Sequence, residues 1–308
     1  MKQKYLITIV GPTAIGKTDL SIKLAEHFRT EIISSDSRQF YKELKIGTAV
    51  PSPNELSLVR HHFIQDRSIF EDYNVGDFEN DAVTLLNTLF QEKDMVIMVG
   101  GSGLYVDAVT KGLDDFPKVD PGIRERLKLE LQEKGIGFLQ KKLEELDPKT
   151  YHRMDIFNKQ RLIRALEISM GTEHPYSHYL SESIKKREFG NIKIGLRADR
   201  EIIYERINQR VDLMISEGLV EEAAKVYPYR DLNALQTVGY KELFAYFDGD
   251  LNLDEAISEI KKNTRRFAKR QGTWFRKDEQ IEWFDYKTDL KNVIAHLEGC
   301  LNNTLENN

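Results

Sequence analysis

Eight residues near the start of the chain, Gly11-Pro12-Thr13-Ala14-Ile15-Gly16-Lys17-Thr18, have the types and spacing of a phosphate-binding P-loop. Glycines at both ends let the backbone curl with its N–H groups turned inward. The Lys17 ammonium and the start of a helix add positive charge. Such a loop holds a di- or triphosphate, and the Thr18 hydroxyl is placed to ligate Mg²⁺ beside it. The flanks agree. The apolar run at 5–10 reads as a buried strand, and 19–29 reads as an amphipathic helix. Asp36 directly follows a second apolar strand at 31–35. In a parallel sheet the strand ends meet at one edge, so Asp36 is expected near the P-loop. A carboxylate there can hold Mg²⁺ through water or take a proton. The plain alternative is a turn or helix cap, a role that Ser and Asp also favour.

The elements that must position these groups can be read in outline. A third buried strand, 95–99, closes on Gly100-Gly101-Ser102-Gly103 with no carboxylate after it. Nucleotide hydrolases usually hold Mg²⁺ with an Asp at such a strand end, so ordinary ATP hydrolysis is disfavoured. No D-D-x-x-D run is present, and Asp114-Asp115-Phe116-Pro117 is not one. Any prenyl diphosphate must therefore be held by the P-loop. Continuous apolar strands separated by helices indicate a parallel sheet covered on both faces. From 118 to 188 long polar helical patterns dominate, with helix-start signals at Asp120-Pro121 and Asp147-Pro148. A strand returns at 191–196. The expected architecture is α/β, a P-loop NTPase-like parallel-sheet core flanked by helices. The core takes in 1–117 and 189–308, and 118–188 forms a helical insertion.

The 308 residues are 40% hydrophobic and 31% charged, an ordinary soluble composition, and no apolar run approaches the roughly 20 residues that span a bilayer. The chain enters a strand almost at once, so neither a signal nor a transit peptide is expected. A single cysteine, Cys300, excludes an intramolecular disulfide and a cysteine zinc cluster and suits the cytoplasm. A monomer is the expectation, since nothing forces an oligomer. The net charge of −5 gives no global sign of a polyanion partner, yet 256–277 carries eight Lys/Arg against one Glu.

That segment spaces Lys262, Arg266, Lys269 and Arg276 along a helix, with Ile260, Phe267 and Trp274 every seven residues on another face. The pattern predicts an amphipathic helix, apolar inward and basic outward. Arg161 and Arg164, three apart, share a helical face. Basic residues beside aromatics suit phosphate contact and base stacking, and a solvated face is the alternative for either segment. On the helix predicted at 199–218, Arg206 and Arg210 are spaced to reach a bound diphosphate, or else lie on a surface helix. His61 and His62 lack clustered ligands and are read as packing or hydrogen-bonding residues rather than a metal site. Trp283 and Phe284 are read as core.

Taken in order, these motifs resemble the tRNA dimethylallyltransferases, also called tRNA isopentenyltransferases. The resemblance runs nearly end to end: GPTAIGKT at 11–18, SSDSRQFY at 34–41, IGTAVPS at 46–52, HHFIQD at 61–66, GGSGLY at 100–105, NKQRLIRALEI at 158–168, RINQRVDLMISEGLVEE at 206–222, QTVGYKE at 236–242 and TRRFAKRQGTWFR at 264–276. The family moves a dimethylallyl group from dimethylallyl diphosphate to N6 of adenine 37 in tRNAs reading codons that begin with U. The resemblance implies that Asp36 is the general base. It implies a diphosphate cradle from Thr13 to Thr18, in which Lys17, Mg²⁺ and backbone amides stabilise the leaving group. It further implies tRNA contacts from Asp36, Ser37, Arg38, Gln39, Ser102, Arg124, Gln160, Arg161, Leu162, Ile163, Arg164, Gln236, Thr237, Val238, Gly239, Tyr240 and Lys241. The target adenine of the anticodon stem-loop would be flipped into a channel toward the prenyl donor. With no second cysteine for the C-terminal zinc finger of eukaryotic members, the chain resembles the compact bacterial form.

Three other readings share parts of the pattern. A prenyltransferase acting on free AMP or ATP shares the P-loop and the Asp, but not the segments assigned to tRNA. A small nucleotide kinase is disfavoured by the missing carboxylate after the third strand. An RNA-binding module with a vestigial P-loop would bind with a steep salt dependence and turn nothing over.

Overall fold

In a computed structural model of the chain, residues 3–181 and 185–306 are described. The chain divides into two compact units, Met1–Lys111 with Lys186–Asn308, and Gly112–Lys185. The divisions thus fall at 112 and 185 rather than at the expected 118 and 188.

In the first unit β1 (Tyr5–Val10) leads through the P-loop into α1 (Lys17–Phe28), followed by β2 (Ile32–Ser34), α2 (Pro53–Leu58), β3 (His61–His62), α3 (Val75–Glu92), β4 (Met95–Val99) and α4 (Gly103–Lys111). In the second unit four helices follow, α5 (Pro121–Lys134), α6 (Ile136–Leu146), α7 (Pro148–Arg153) and α8 (Lys159–Gly171). The first unit then resumes with β5 (Gly190–Arg197), α9 (Arg200–Ser216), α10 (Leu219–Val226), α11 (Tyr240–Phe247), α12 (Leu253–Phe275), β6 (Ile281–Asp285) and α13 (Leu290–Glu306).

Among the described residues the six strands form one sheet in the order β3-β2-β4-β1-β5-β6, and every neighbouring pair is parallel. β1 sits between β4 and β5 with all six residues buried. Its side chains alternate between two cores. Leu6 and Val10 pack with Val96, Met98 and the α3 residues Phe78 and Leu86. Ile7 and Ile9 pack with Leu24 of α1 and with Val293 and Leu297 of α13. Coverage of both faces explains why β1 reads as an unbroken apolar run. The hydroxyl of buried Thr8 donates to Asn191 Oδ1 at 2.7 Å, which satisfies it. A third core, around Leu219, Leu235, Tyr240, Phe244 and Ile260, joins α10, α11 and α12.

β3 and β6 were not expected. β3 is only two residues long, and its histidines are held as the sequence suggests: His61 Nδ1 lies 2.8 Å from the Val59 carbonyl and His62 Nε2 lies 2.7 Å from Glu31 Oε2. β6 carries Trp283 and Phe284, and both pack onto the cores of the sheet.

The second unit has its own core of Leu127, Leu139, Leu143, Leu162, Ile163 and Leu166. Both Asp-Pro signals start helices: Asp120 accepts from the Gly122 N–H, and Asp147 from the Thr150 N–H, ahead of a proline at the first helical position.

Candidate active site

The ends of β1, β2 and β4 release three loops at one edge of the sheet, and these frame the site. The P-loop leaves β1, and Gly16, with φ +108°, takes the left-handed conformation that lets α1 start at Lys17. Lys17 Nζ donates to the carbonyls of Gly11 and Pro12 at 3.0 and 2.9 Å, within its own loop. The Lys17 pKa is lowered to about 8, chiefly by burial, which the Asp36 carboxylate opposes and the Arg210 guanidinium reinforces.

Two residues beyond β2, Asp36 Oδ1 accepts the Arg38 N–H at 3.1 Å, so the carboxylate does cap its own turn. It is also buried beside charge. Burial raises its pKa, against the Arg38 N–H and the cations Lys17, Arg38 and Arg210, which lower it. Cap and proton acceptor are therefore compatible roles for one carboxyl group. Beyond β4, Ser102 Oγ lies 3.3 Å from the Ser37 hydroxyl and accepts the Ser37 N–H at 3.3 Å, which joins the second and third loops.

A cleft of about 610 Å³ opens over these loops. Thr13, Asp36 and Arg210 lie at its polar end, with Arg210 Nη1 3.5 Å from Thr13 Oγ1. Burial, then the neighbouring Arg206, lowers the Arg210 pKa. Leu219, Val238, Ile260, Phe267 and Trp274 supply an apolar wall. Two desolvated cations beside one carboxylate favour an incoming polyanion, whose charge offsets the cost of their burial.

Several expected contact residues line this cleft: Ser37, Arg38, Ser102, and the stretch Gln236, Thr237, Val238 and Gly239 with Lys241. Others do not. Tyr240 is fully buried in the helical core, with its hydroxyl donating to Glu222 Oε1 at 2.6 Å. Its side chain offers no surface to a ligand. Gln39 spends its amide inside the protein, accepting from Ser34 Oγ and donating to the carbonyls of Thr48 and Ala49. Arg206 and Arg210 take different partners on the P-loop. Arg206 Nε donates to the Ala14 carbonyl at 2.7 Å and borders a different hollow, so it braces the loop while Arg210 faces the cleft. In the second unit Leu162 and Ile163 are core, which removes their side chains as contacts. Arg124 and Arg164 share the buried Glu167, at 3.0 Å each, while Gln160 and Arg161 are exposed.

The heptad stripe of α12 also differs from expectation. Ile260 is buried, but Phe267 and Trp274 are 37% and 39% exposed and face the cleft. The helix buries Ala268, Gln271 and Phe275 instead. Two residues had not been singled out. Glu222 on α10 accepts the N–H groups of Lys45, Ile46 and Gly47, and so fixes the 45–49 turn that lines the cleft. Gln271 bonds the P-loop and the β4 loop together. A lone amide spaced among Ala268 and Phe275 was the signal available for Gln271. For Glu222 the sequence carries none, because its partners lie about 175 residues away.

Among the described residues no group of three or more His, Cys, Asp or Glu could hold a metal by itself. Mg²⁺ needs no such cage, since it keeps several waters and binds through few protein oxygens together with substrate phosphates. The Thr18 hydroxyl, at the start of α1, and the oxygens of a bound diphosphate fit that pattern.

A family model described as IPP transferase matches residues 39–278. A tRNA dimethylallyltransferase of Christiangramia forsetii is 61% identical over 298 residues, covering 97% of this chain and 99% of that protein. One from Flavobacterium johnsoniae is 55% identical over 308 residues, covering 98% and 100%. Among solved structures, the full-length tRNA isopentenylpyrophosphate transferase of Bacillus halodurans superposes with a TM-score of 0.73 at 38% identity, covering 100% of both chains. A eukaryotic dimethylallyltransferase acting on tRNA gives 0.78 at 26% identity, covering 94% of this chain and 75% of that one.

Proposed function

The chain belongs to the IPP transferase family, and from that premise we propose that it transfers a dimethylallyl group from dimethylallyl diphosphate to N6 of adenine 37 in tRNAs reading codons that begin with U. The products are N6-dimethylallyladenosine and diphosphate. One observation carries the reading: a single cleft joins the desolvated Arg210 and the buried Asp36 carboxylate, with the P-loop Lys17 beside them, to an apolar wall.

The chemistry follows from those residues. The diphosphate lies against the P-loop, where Lys17 and Arg210 oppose the charge that builds as the allylic C–O bond breaks. The five-carbon chain lies along the apolar wall, which keeps water from the electrophilic carbon. Adenine N6 forms the new N–C bond, and its proton passes to the Asp36 carboxylate. A raised pKa makes that carboxylate a stronger base than an exposed one. Thr18 would hold Mg²⁺, which supplies further neutralisation of the diphosphate.

Asp36, Ser37, Arg38, Ser102, Gln236–Gly239 and Lys241 contact the RNA in this reading, as do Arg124, Gln160, Arg161 and Arg164 of the second unit. Among the described residues no helix is long and apolar enough to cross a membrane. The reading takes the enzyme as cytoplasmic and as a monomer.

The test is transfer of labelled dimethylallyl groups to two acceptors side by side, an anticodon stem-loop with adenines around position 37 and free AMP. The stem-loop alone should be labelled, and chelation of Mg²⁺ by EDTA should abolish the signal. Labelling of AMP alone would move the acceptor to free nucleotides. Labelling of neither would leave the transferase reading without support.

A further inference from the structure

We infer that Gln271 is a positioning residue for the transfer, the pin that sets the diphosphate cradle against the loop that meets the acceptor. This rests on the proposed function and adds a role to it.

Gln271 lies on the buried face of α12 and is 5% exposed. Its Oε1 accepts the Thr13 N–H at 2.8 Å, and its Nε2 donates to the Gly101 carbonyl at 3.0 Å. An amide N–H can only donate and a backbone carbonyl can only accept, so the amide has one orientation here. A carboxylate could hold the first partner but not the second, and an ammonium the second but not the first. Only a carboxamide of this reach serves both.

The two partners belong to opposite reactants. Thr13 is in the P-loop and lines the polar end of the cleft. Gly101 precedes Ser102, which bonds Ser37 next to Asp36. A side chain at 101 would put its Cβ 2.1 Å from Gln271 Nε2, so the glycine makes room for the pin. Three residues on, the same helix also holds α4, which follows the β4 loop, through Trp274 Nε1 to Asp107 Oδ2 at 2.9 Å. Gln271 also lines the cleft, but both of its amide atoms are taken by the two loops. It acts by fixing two loops whose separation sets the distance between donor carbon and acceptor nitrogen. Catalysis of this kind is sensitive to displacements of about 1 Å, which can cost on the order of 100-fold in rate.

The experiment compares Gln271→Met, which keeps shape and loses both bonds, and Gln271→Glu, which keeps the acceptor and loses the donor. Single-turnover transfer to the stem-loop is measured beside equilibrium binding of the stem-loop and of inorganic diphosphate, with thermal melting as the control for folding. The expected result for Met is a fall on the order of 10- to 100-fold in the single-turnover rate at saturating substrates. Stem-loop and diphosphate affinities should stay within about threefold, and the glutamate variant should also lose rate. A wild-type rate in folded Met protein would overturn the inference. So would a loss that saturating dimethylallyl diphosphate restores, because that is a binding role. If Met fails to fold, the glutamate variant decides by the same two criteria. A wild-type enzyme that labels no RNA would instead overturn the proposed function, so the two failures remain distinct.

Discussion

At the scale of single residues, the roles proposed for Asp36 and Lys17 set the expected pH behaviour. In kcat/KM, which reports the free enzyme, Asp36 must be ionised and Lys17 protonated. Burial raises Asp36, so the acid limb should lie above the usual carboxylate range. The alkaline limb should fall near pH 8, where Lys17 titrates. A pH profile of Lys17→Arg should keep the acid limb and lose the alkaline one, at reduced rate. An unchanged alkaline limb would assign it to another group. Asp36→Asn should lose transfer by about 100-fold or more while still binding the stem-loop. It should also melt higher than wild type at neutral pH. A carboxyl group whose pKa is raised on folding binds more protons in the folded state, so stability falls as pH rises through its titration. Asn removes that cost, and the gap should close at acid pH, where both side chains are neutral. A lower melting point for Asn at neutral pH would mean that the carboxylate stabilises the fold.

At the scale of elements, the 45–49 turn is held from α10. The Glu222 carboxylate takes three backbone N–H groups and the Tyr240 hydroxyl. Glu222→Gln puts an NH₂ where an acceptor is needed and leaves at least one donor unpaired, a cost of about 1–3 kcal/mol. Denaturant titration should show that loss, and KM for the stem-loop should rise because the turn lines the cleft. Unchanged stability would show that the turn holds without this anchor. The P-loop, by contrast, was legible because strand, glycines, lysine and helix are contiguous. The same holds for β1, β4 and both Asp-Pro helix starts. Glu222, Gln271 and Arg206 act on partners far along the chain, which local patterning does not encode. β3 escaped because two residues establish no period, and Tyr240 was assigned to RNA contact because a motif does not say which of its members face inward.

At the scale of the whole molecule, the two units carry separate cores, so they should fail separately. The proposed diphosphate cradle lies wholly in the first unit, while Arg124, Arg161 and Arg164 lie in the second. Their surroundings rank them. Arg124 and Arg164 share Glu167, whose pKa stays low despite burial because both guanidinium groups donate to it. Removing either leaves a buried carboxylate with one partner and tests packing together with binding. Arg161 is exposed, and its substitution leaves that cluster intact. Arg161→Ala should therefore weaken stem-loop binding at every sequence and reduce the slope of log affinity against log salt by about 1. Diphosphate affinity and melting temperature should not move. The check is a salt titration of stem-loop binding for wild type and variant, paired with diphosphate binding on the same preparations. A variant with the wild-type slope would place Arg161 on a solvated face, and a variant with weakened diphosphate binding would couple the two units through more than the RNA.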